Sequence, residues 1–133
     1  MEQIEEILKN SRTIAVVGLS PKPDRPSYGV ARYLQGQGYR IIPVNPGAQE
    51  VLGEKAYPNL SAIPERVDVV DIFRKPEDVL PVVEEAIKIG AKYIWMQEGI
   101  VNDQAAQKAR RAGLAVVMDR CMSVEHQRLQ LPR

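Results

Sequence analysis

Five short apolar runs, each closed by a polar or turn-forming residue, recur along this chain with helix-forming segments between them. That alternation limits the fold more than any other feature. The runs are residues 14–17 (IAVV), 40–44 (RIIPV), 67–73 (VDVVDIF), 92–97 (KYIWMQ) and 115–118 (AVVM). They are too short for helices and rich in β-branched residues, and an apolar run without strict alternation suits a strand buried on both faces. The segments between them carry helical spacing: Val30, Ala31 and Leu34; Val82, Val83, Ala86 and Ile87; Ala105, Ala106, Ala109 and Ala112. An amphipathic helix over residues 2–10 precedes the first strand, with Ile4, Ile7 and Leu8 on one side, and a short helical tail is expected at 123–129. Strands joined through helices pair in parallel by right-handed crossovers. The expected fold class is α/β, Rossmann-like and doubly wound, with five parallel strands in the order 3-2-1-4-5 and helices on both faces. One domain over residues 1–133 is expected.

Local signals fill in the rest. Gly36 or Gly38, Gly90 and Gly113 end helices, Asn102 caps the fourth, and Asp78 caps the third with Pro81 in its first turn. Residues 48–66 read as a surface crossover holding a small strand or a turn of helix near 61–64. Asp68 and Asp71 are three apart, so a strand sends them to opposite faces, which argues against a paired-carboxylate catalyst. One is expected near a strand end and the other on neighbouring backbone.

Ligands of such sheets lie at the carboxyl edge, at the switch point of the strand order, here expected between strands one and four. The stretch at 13–27, TIAVVGLSPKPDRPS, carries the strongest signal there. A buried strand ends at Gly18, where the lack of a side chain admits close approach of a ligand. A loop with Lys22 and Arg25 follows, stiffened by Pro21, Pro23 and Pro26, and Ser27 is a suitable N-cap for the next helix. Strand, glycine turn, basic loop and helix start together describe a phosphate site. Lys22 and Arg25 also read as ordinary solvated charges, and Arg74 as the partner of Glu77. A dinucleotide fingerprint is absent: Gly18 is followed by Leu19-Ser20-Pro21, and the second strand ends in Val44-Asn45 rather than at an acid. No P-loop occurs either. A ligand with several phosphates, other than NAD, FAD or a hydrolysed triphosphate, fits what remains.

The net charge of +1 carries no global field toward nucleic acid or an anionic membrane, so neither is expected as a partner. One cysteine excludes an internal disulfide, and with no secretory signal or membrane-length apolar run the expected location is cytoplasmic. Cys121 and His126 suggest a nucleophile and base, but a lone buried thiol and a surface histidine on the tail are the favoured reading, and the two are too few for zinc. Trp95 reads as core. Cys121 ends the fifth strand at the ligand edge, within reach of a thiol-bearing ligand that would form a mixed disulfide under oxidation.

The pieces VVGLSPKPDRPSYGVARYL, VNPG, VDVVDIFR, WMQEG and MDRC, in that order, resemble the small stand-alone CoA-binding proteins. They are also similar to the amino-terminal CoA-binding domain of the succinyl-CoA synthetase alpha subunit. The resemblance spans residues 10–126. It implies coenzyme A as the cofactor, with Gly18, Leu19 and Ser20 at its phosphates and Arg25 and Ser27 nearby; because this chain departs from the family's loop, the phosphate charge is expected from Lys22, Arg25 or Arg74. It implies Asn45 and Pro46 at the adenosine, Phe73 and Arg74 beside the nucleotide, and Met96, Gln97 and Glu98 along the pantetheine. Two departures stand out: the synthetase's Gly-rich first loop is the Pro-rich SPKPDRP here, and its lysine after the second strand's turn has become Ala48-Gln49. The ligase's second domain, with its phosphorylated histidine, has no counterpart in this sequence. The expected function is binding of CoA or an acyl-CoA without catalysis by the chain itself. The alternatives are a partner-dependent enzyme acting on acyl-CoA, or an NAD(P)-type oxidoreductase-like domain. A protein partner or a homo-oligomer is compatible with all of these.

Overall fold

The computed structural model describes residues 2–130. In chain order the elements are α1 (Glu2–Asn10), β1 (Thr13–Val17), α2 (Pro26–Gly36), β2 (Arg40–Val44), β3 (Glu50–Val51), β4 (Glu54–Lys55), β5 (Val69–Ile72), α3 (Val79–Lys88), β6 (Tyr93–Met96), α4 (Asp103–Arg111), β7 (Ala115–Val117) and α5 (Met122–Leu129). Single 3-10 turns stand at Leu60–Ala62 and Pro76–Asp78. Five strands form one parallel sheet in the order β2-β1-β5-β6-β7, and β3 and β4 make a separate antiparallel hairpin. The α/β, Rossmann-like class is as expected.

The strand order is not. The third long strand, β5, lies on the far side of β1 from β2, so the order is 2-1-3-4-5 among the parallel strands instead of 3-2-1-4-5. Pro43 gives the physical reason. In a strand the N–H and C=O of one residue point to the same side, and the Pro43 carbonyl accepts Tyr57 N–H at 3.0 Å, away from β1. Its nitrogen, with no hydrogen to donate, faces that outer edge too. A proline there suits an edge strand and would cost a central strand a ladder bond. β5 instead docks on β1, where Val17 O accepts Phe73 N–H at 2.8 Å and Thr13 O accepts Asp68 N–H at 3.0 Å.

The strands of the parallel sheet are buried on both faces, with their side chains alternating between two cores. Ala15, Val17, Val70, Ile72, Ile94 and Met96 pack toward α3 and α4. Ile14, Val16, Val69, Trp95 and Val117 pack toward α1, α2 and α5, with Leu34, Ile7 and Met122 from those helices. Full burial of side chains of this size contributes roughly 1.5–3 kcal/mol each. Ala105, Ala106 and Ala109 form the buried face of α4, but Ala112 is exposed, because the helix ends at Arg111 and Ala112 is only its cap.

The two aspartates divide differently from expectation. Asp68, at the start of its strand, accepts the backbone N–H groups of Arg12 and Thr13 at 2.8 and 3.1 Å. Asp71 lies mid-strand, fully buried, and its partner is a side chain, Gln97. Asp78 occupies the N-cap position of α3 without a side-chain bond, since the 3-10 turn before it runs directly into the helix. Among the described residues no helix is long and apolar enough to cross a membrane.

Candidate functional site

With β5 beside β1, the switch point falls between β1 and β5 rather than between the first and fourth long strands. A cleft of about 410 Å³ opens there, lined by Gly18, Ser20, Lys22, Arg25, Ser27 and Phe73, with Pro26 at its rim.

Gly18 ends β1 with φ +89, a region open to glycine at little cost. Its amide donates to Val44 O at 2.9 Å. A Cβ at this position would sit 2.2 Å from the Phe73 carbonyl oxygen and 3.1 Å from Arg74 Nη1. The glycine is therefore demanded by the neighbouring strand's own backbone, with or without a ligand. The same distances fold the half-buried Arg74 guanidinium over the turn.

Ser27 is not the N-cap. α2 starts one residue earlier, at Pro26, with Arg25 in the capping position and no side-chain cap bond. Proline at the first helical position presets φ and lacks an N–H that would have been orphaned anyway, so the helix begins on it. The Ser27 hydroxyl, buried in the first turn, instead accepts Ser20 N–H at 3.0 Å, and Ser20 Oγ accepts Lys22 N–H at 3.1 Å. Arg25 N–H then closes on Lys22 O at 3.1 Å. The two serines staple the loop shut and use up several amides. Leu19, Asp24 and Ser27 keep N–H groups with no partner among the described residues, and Pro21, Pro23 and Pro26 have none to offer. Charge must do more at this site than backbone. Lys22, Arg25 and Arg74 make no ion pair among the described residues, and the Arg74–Glu77 pairing is not formed.

The other expected residues are placed less uniformly. Leu19 buries its side chain completely in the core and presents only backbone. Asn45 is a clasp: its Nδ2 donates to Leu19 O at 3.0 Å and its Oδ1 accepts Gly47 N–H at 2.8 Å, which pins the β2 turn to the glycine turn. Pro46 is exposed beside it. Met96 points into the α3–α4 core and is fully buried. Strand alternation sends Gln97 to the opposite face, 3% exposed, and leaves Glu98 in solvent. These three do not line the cleft. The strand ends around them are laced together: Gly99 N–H to Asp119 Oδ1 at 2.6 Å, and Trp95 Nε1 to Arg120 O at 2.8 Å. Trp95 is core, as its apolar setting suggests.

Buried ionisable groups escaped the sequence, Asp71, Glu125 and His126 among them. Asp71 Oδ1 accepts Gln97 Nε2 at 2.6 Å, while Oδ2 has no partner among the described residues. Burial pushes this carboxyl up to about 7, the Gln97 bond pulling weakly the other way. His126 is not on the surface. It is 4% exposed, its Nδ1 lies 2.8 Å from Tyr33 Oη, and Tyr33 and Tyr39 meet its ring edge-on. Burial holds its pKa below the usual histidine range. No local pattern marks this histidine as buried; only the docking of α5 against α2 does so. Cys121 is half-buried, its Sγ 3.3 Å from Ser123 Oγ.

Comparison with known proteins shows the family of the chain. The CoA binding domain family model matches residues 12–127. A Bacillus subtilis protein described as the uncharacterized protein YneT is 45% identical over 124 residues, spanning 93% of this chain and 92% of its own. A solved structure, a hypothetical protein from Pyrococcus horikoshii, superposes with a TM-score of 0.94 at 48% identity, covering 98% of this chain and 92% of the other. The alpha subunit of the Pyrococcus furiosus ADP-forming acetate–CoA ligase I is 31% identical over 128 residues, and the match spans 84% of this chain and 28% of that subunit.

Proposed function

This chain belongs to the CoA-binding domain family, and from that premise we propose that it binds coenzyme A, or an acyl-CoA, in the cleft between the ends of β1 and β5. The observation that carries the reading is the cluster of three cations, Lys22, Arg25 and Arg74, unpaired among the described residues, around a glycine turn and a helix start. CoA brings a pyrophosphate and a 3′-phosphate to such a cluster. Charge-assisted bonds from arginine are worth about 1.5–3 kcal/mol each. In this reading Ser20 and Ser27 hold the loop in shape, Phe73 packs against the nucleotide, and Asn45 keeps the β2 turn next to it. Leu19 offers backbone, Pro46 borders the adenosine, and Gln97 and Glu98 act only through the loop they begin. Binding without turnover is the simplest function for this arrangement. A protein partner is the second reading, favoured by the ligase subunit of which the chain matches a quarter or so.

Calorimetry against CoA, acetyl-CoA, dephospho-CoA, NAD, ADP and ATP tests the ligand directly. CoA is expected to bind more tightly than NAD, and Arg74→Ala to weaken it roughly ten- to hundredfold. Arg25→Ala should weaken CoA more than dephospho-CoA if Arg25 holds the 3′-phosphate. Tight NAD binding with no heat from millimolar CoA would overturn the reading.

A further inference from the structure

Asp71 is the one fully buried carboxylate in the described sheet, and no cation pairs with it. Its only hydrogen bond comes from a neutral amide, Gln97 Nε2, and its second oxygen has no partner at all among the described residues. Ionising a carboxyl in such a place is costly, because neither water nor a fixed positive charge receives the anion. The position is also close to the cleft. Asp71 stands two residues before Phe73, which follows the end of β5 and packs on the same side of the sheet, so about 7 Å of extended chain separates it from a cleft wall.

We propose that the Asp71 carboxyl is a proton site coupled to the cleft, so that a polyanion seated behind Gly18 draws a proton onto it. The identity of that polyanion rests on the CoA reading given above. In the empty cleft, Lys22, Arg25 and Arg74 favour the ionised carboxylate across a medium that screens poorly. Phosphates bound to those cations cancel their field and replace it with a negative one. Both changes favour the neutral acid. The group titrates close to neutrality, where a modest change in field alters its occupancy most.

The other charges near this face do not substitute for it. From β1 and β6 the flanking side chains are Val16 and Trp95, which carry none. α2 buries Ser27, Val30, Ala31 and Leu34 there, with Tyr28 and Tyr33 half-buried. α1 contributes Ile4, Ile7 and Leu8, its Glu5–Lys9 pair lying outside. α5 contributes the buried Glu125, whose Oε2 Arg128 approaches at 3.4 Å while Oε1 has no partner among the described residues, and His126, whose pKa burial lowers, with the half-buried Cys121 at its start. Asp24 lies in the cleft loop between Lys22 and Arg25 and is exposed; Glu98 and Asp119, past the ends of β6 and β7, are outside the cleft lining and exposed, Asp119 engaged by Gly99.

By linkage, a ligand that raises the proton affinity of a group takes up protons when it binds, and its affinity falls as pH rises through the titration. Calorimetry with CoA at pH 7, in buffers of different ionisation enthalpy, reads that uptake. The wild-type chain is expected to take up on the order of a few tenths of a proton more per CoA than Asp71→Asn, which also corrects for protons exchanged by the ligand's own phosphate. Should the Asn variant fold poorly, a carbon-13 NMR titration of the wild-type Asp71 carboxyl supplies the same answer. Its midpoint should rise when CoA is added. Equal proton uptake in the two chains, or an unmoved midpoint in a sample that CoA saturates, overturns the coupling alone. No heat from CoA at any pH overturns the CoA reading and the coupling with it.

Discussion

At Gly18 a backbone oxygen of the next strand fills the space where a side chain would begin, so the residue is decided by sheet geometry before any ligand is considered. Gly18→Ala must both adopt a positive φ and displace the Phe73 carbonyl, and should destabilise the fold by roughly 2–4 kcal/mol in urea unfolding. A variant as stable as the parent would mean that the β5 end yields, and the cleft with it. The sequence identified this glycine as a strand end, but its contact with a residue 55 positions away leaves no local trace. Ser27 makes the same point. Its residue type and its place before an apolar helix satisfied the N-cap pattern, and Pro26 took the role of starting the helix instead.

Elements are where the sequence was most legible. Five strands and five helices lie where apolar runs and helical spacing put them, within a residue or two at their ends. The strand order leaves one local trace as well, in Pro43: a proline inside RIIPV marks an edge. α5 behaves otherwise. It docks on α2 and α1 through a histidine whose burial nothing in its neighbourhood announces, and the Tyr33–His126 bond is the latch. Removing the hydroxyl in Tyr33→Phe leaves the imidazole without that partner and should cost about 1 kcal/mol. Amide hydrogen exchange should show that loss as faster exchange over residues 122–129, with the β1 and β5 amides unchanged. Uniform acceleration across the sheet would refute a local latch.

At the scale of the whole molecule, Asp71 and His126 are buried groups that titrate in opposed directions. Asp71 has a folded pKa of about 7 against 3.8 for a free side chain, so the folded state holds the extra proton between those values. Its contribution to stability is complete below about 4 and is lost as pH rises through 7. The loss is on the order of 4 kcal/mol at most. His126 is depressed, so its contribution is complete above about 6.5 and is lost as pH falls below that. Chemical denaturation from pH 4 to pH 9 should show Asp71→Asn removing the fall in stability between about pH 4 and pH 7, so that the opposite loss from His126 below about 6.5 stands alone. If the wild-type chain and Asp71→Asn change alike between pH 4 and pH 7, the carboxyl is hydrated or paired in solution and supplies no such slope. What the sequence alone determined was the list of parts: parallel α/β architecture, a basic proline-stiffened loop behind a glycine turn, and the order of strand-end signatures that resembles CoA-binding proteins. Periodicity, turn chemistry and charge act over a few residues, so they can be read along the chain. Which strands are neighbours, which amides the loop spends on its own serines, and which acid and histidine lose their water depend on residues 7 to 93 positions apart meeting in space. Those facts belong to packing, and the tertiary structure alone decided them.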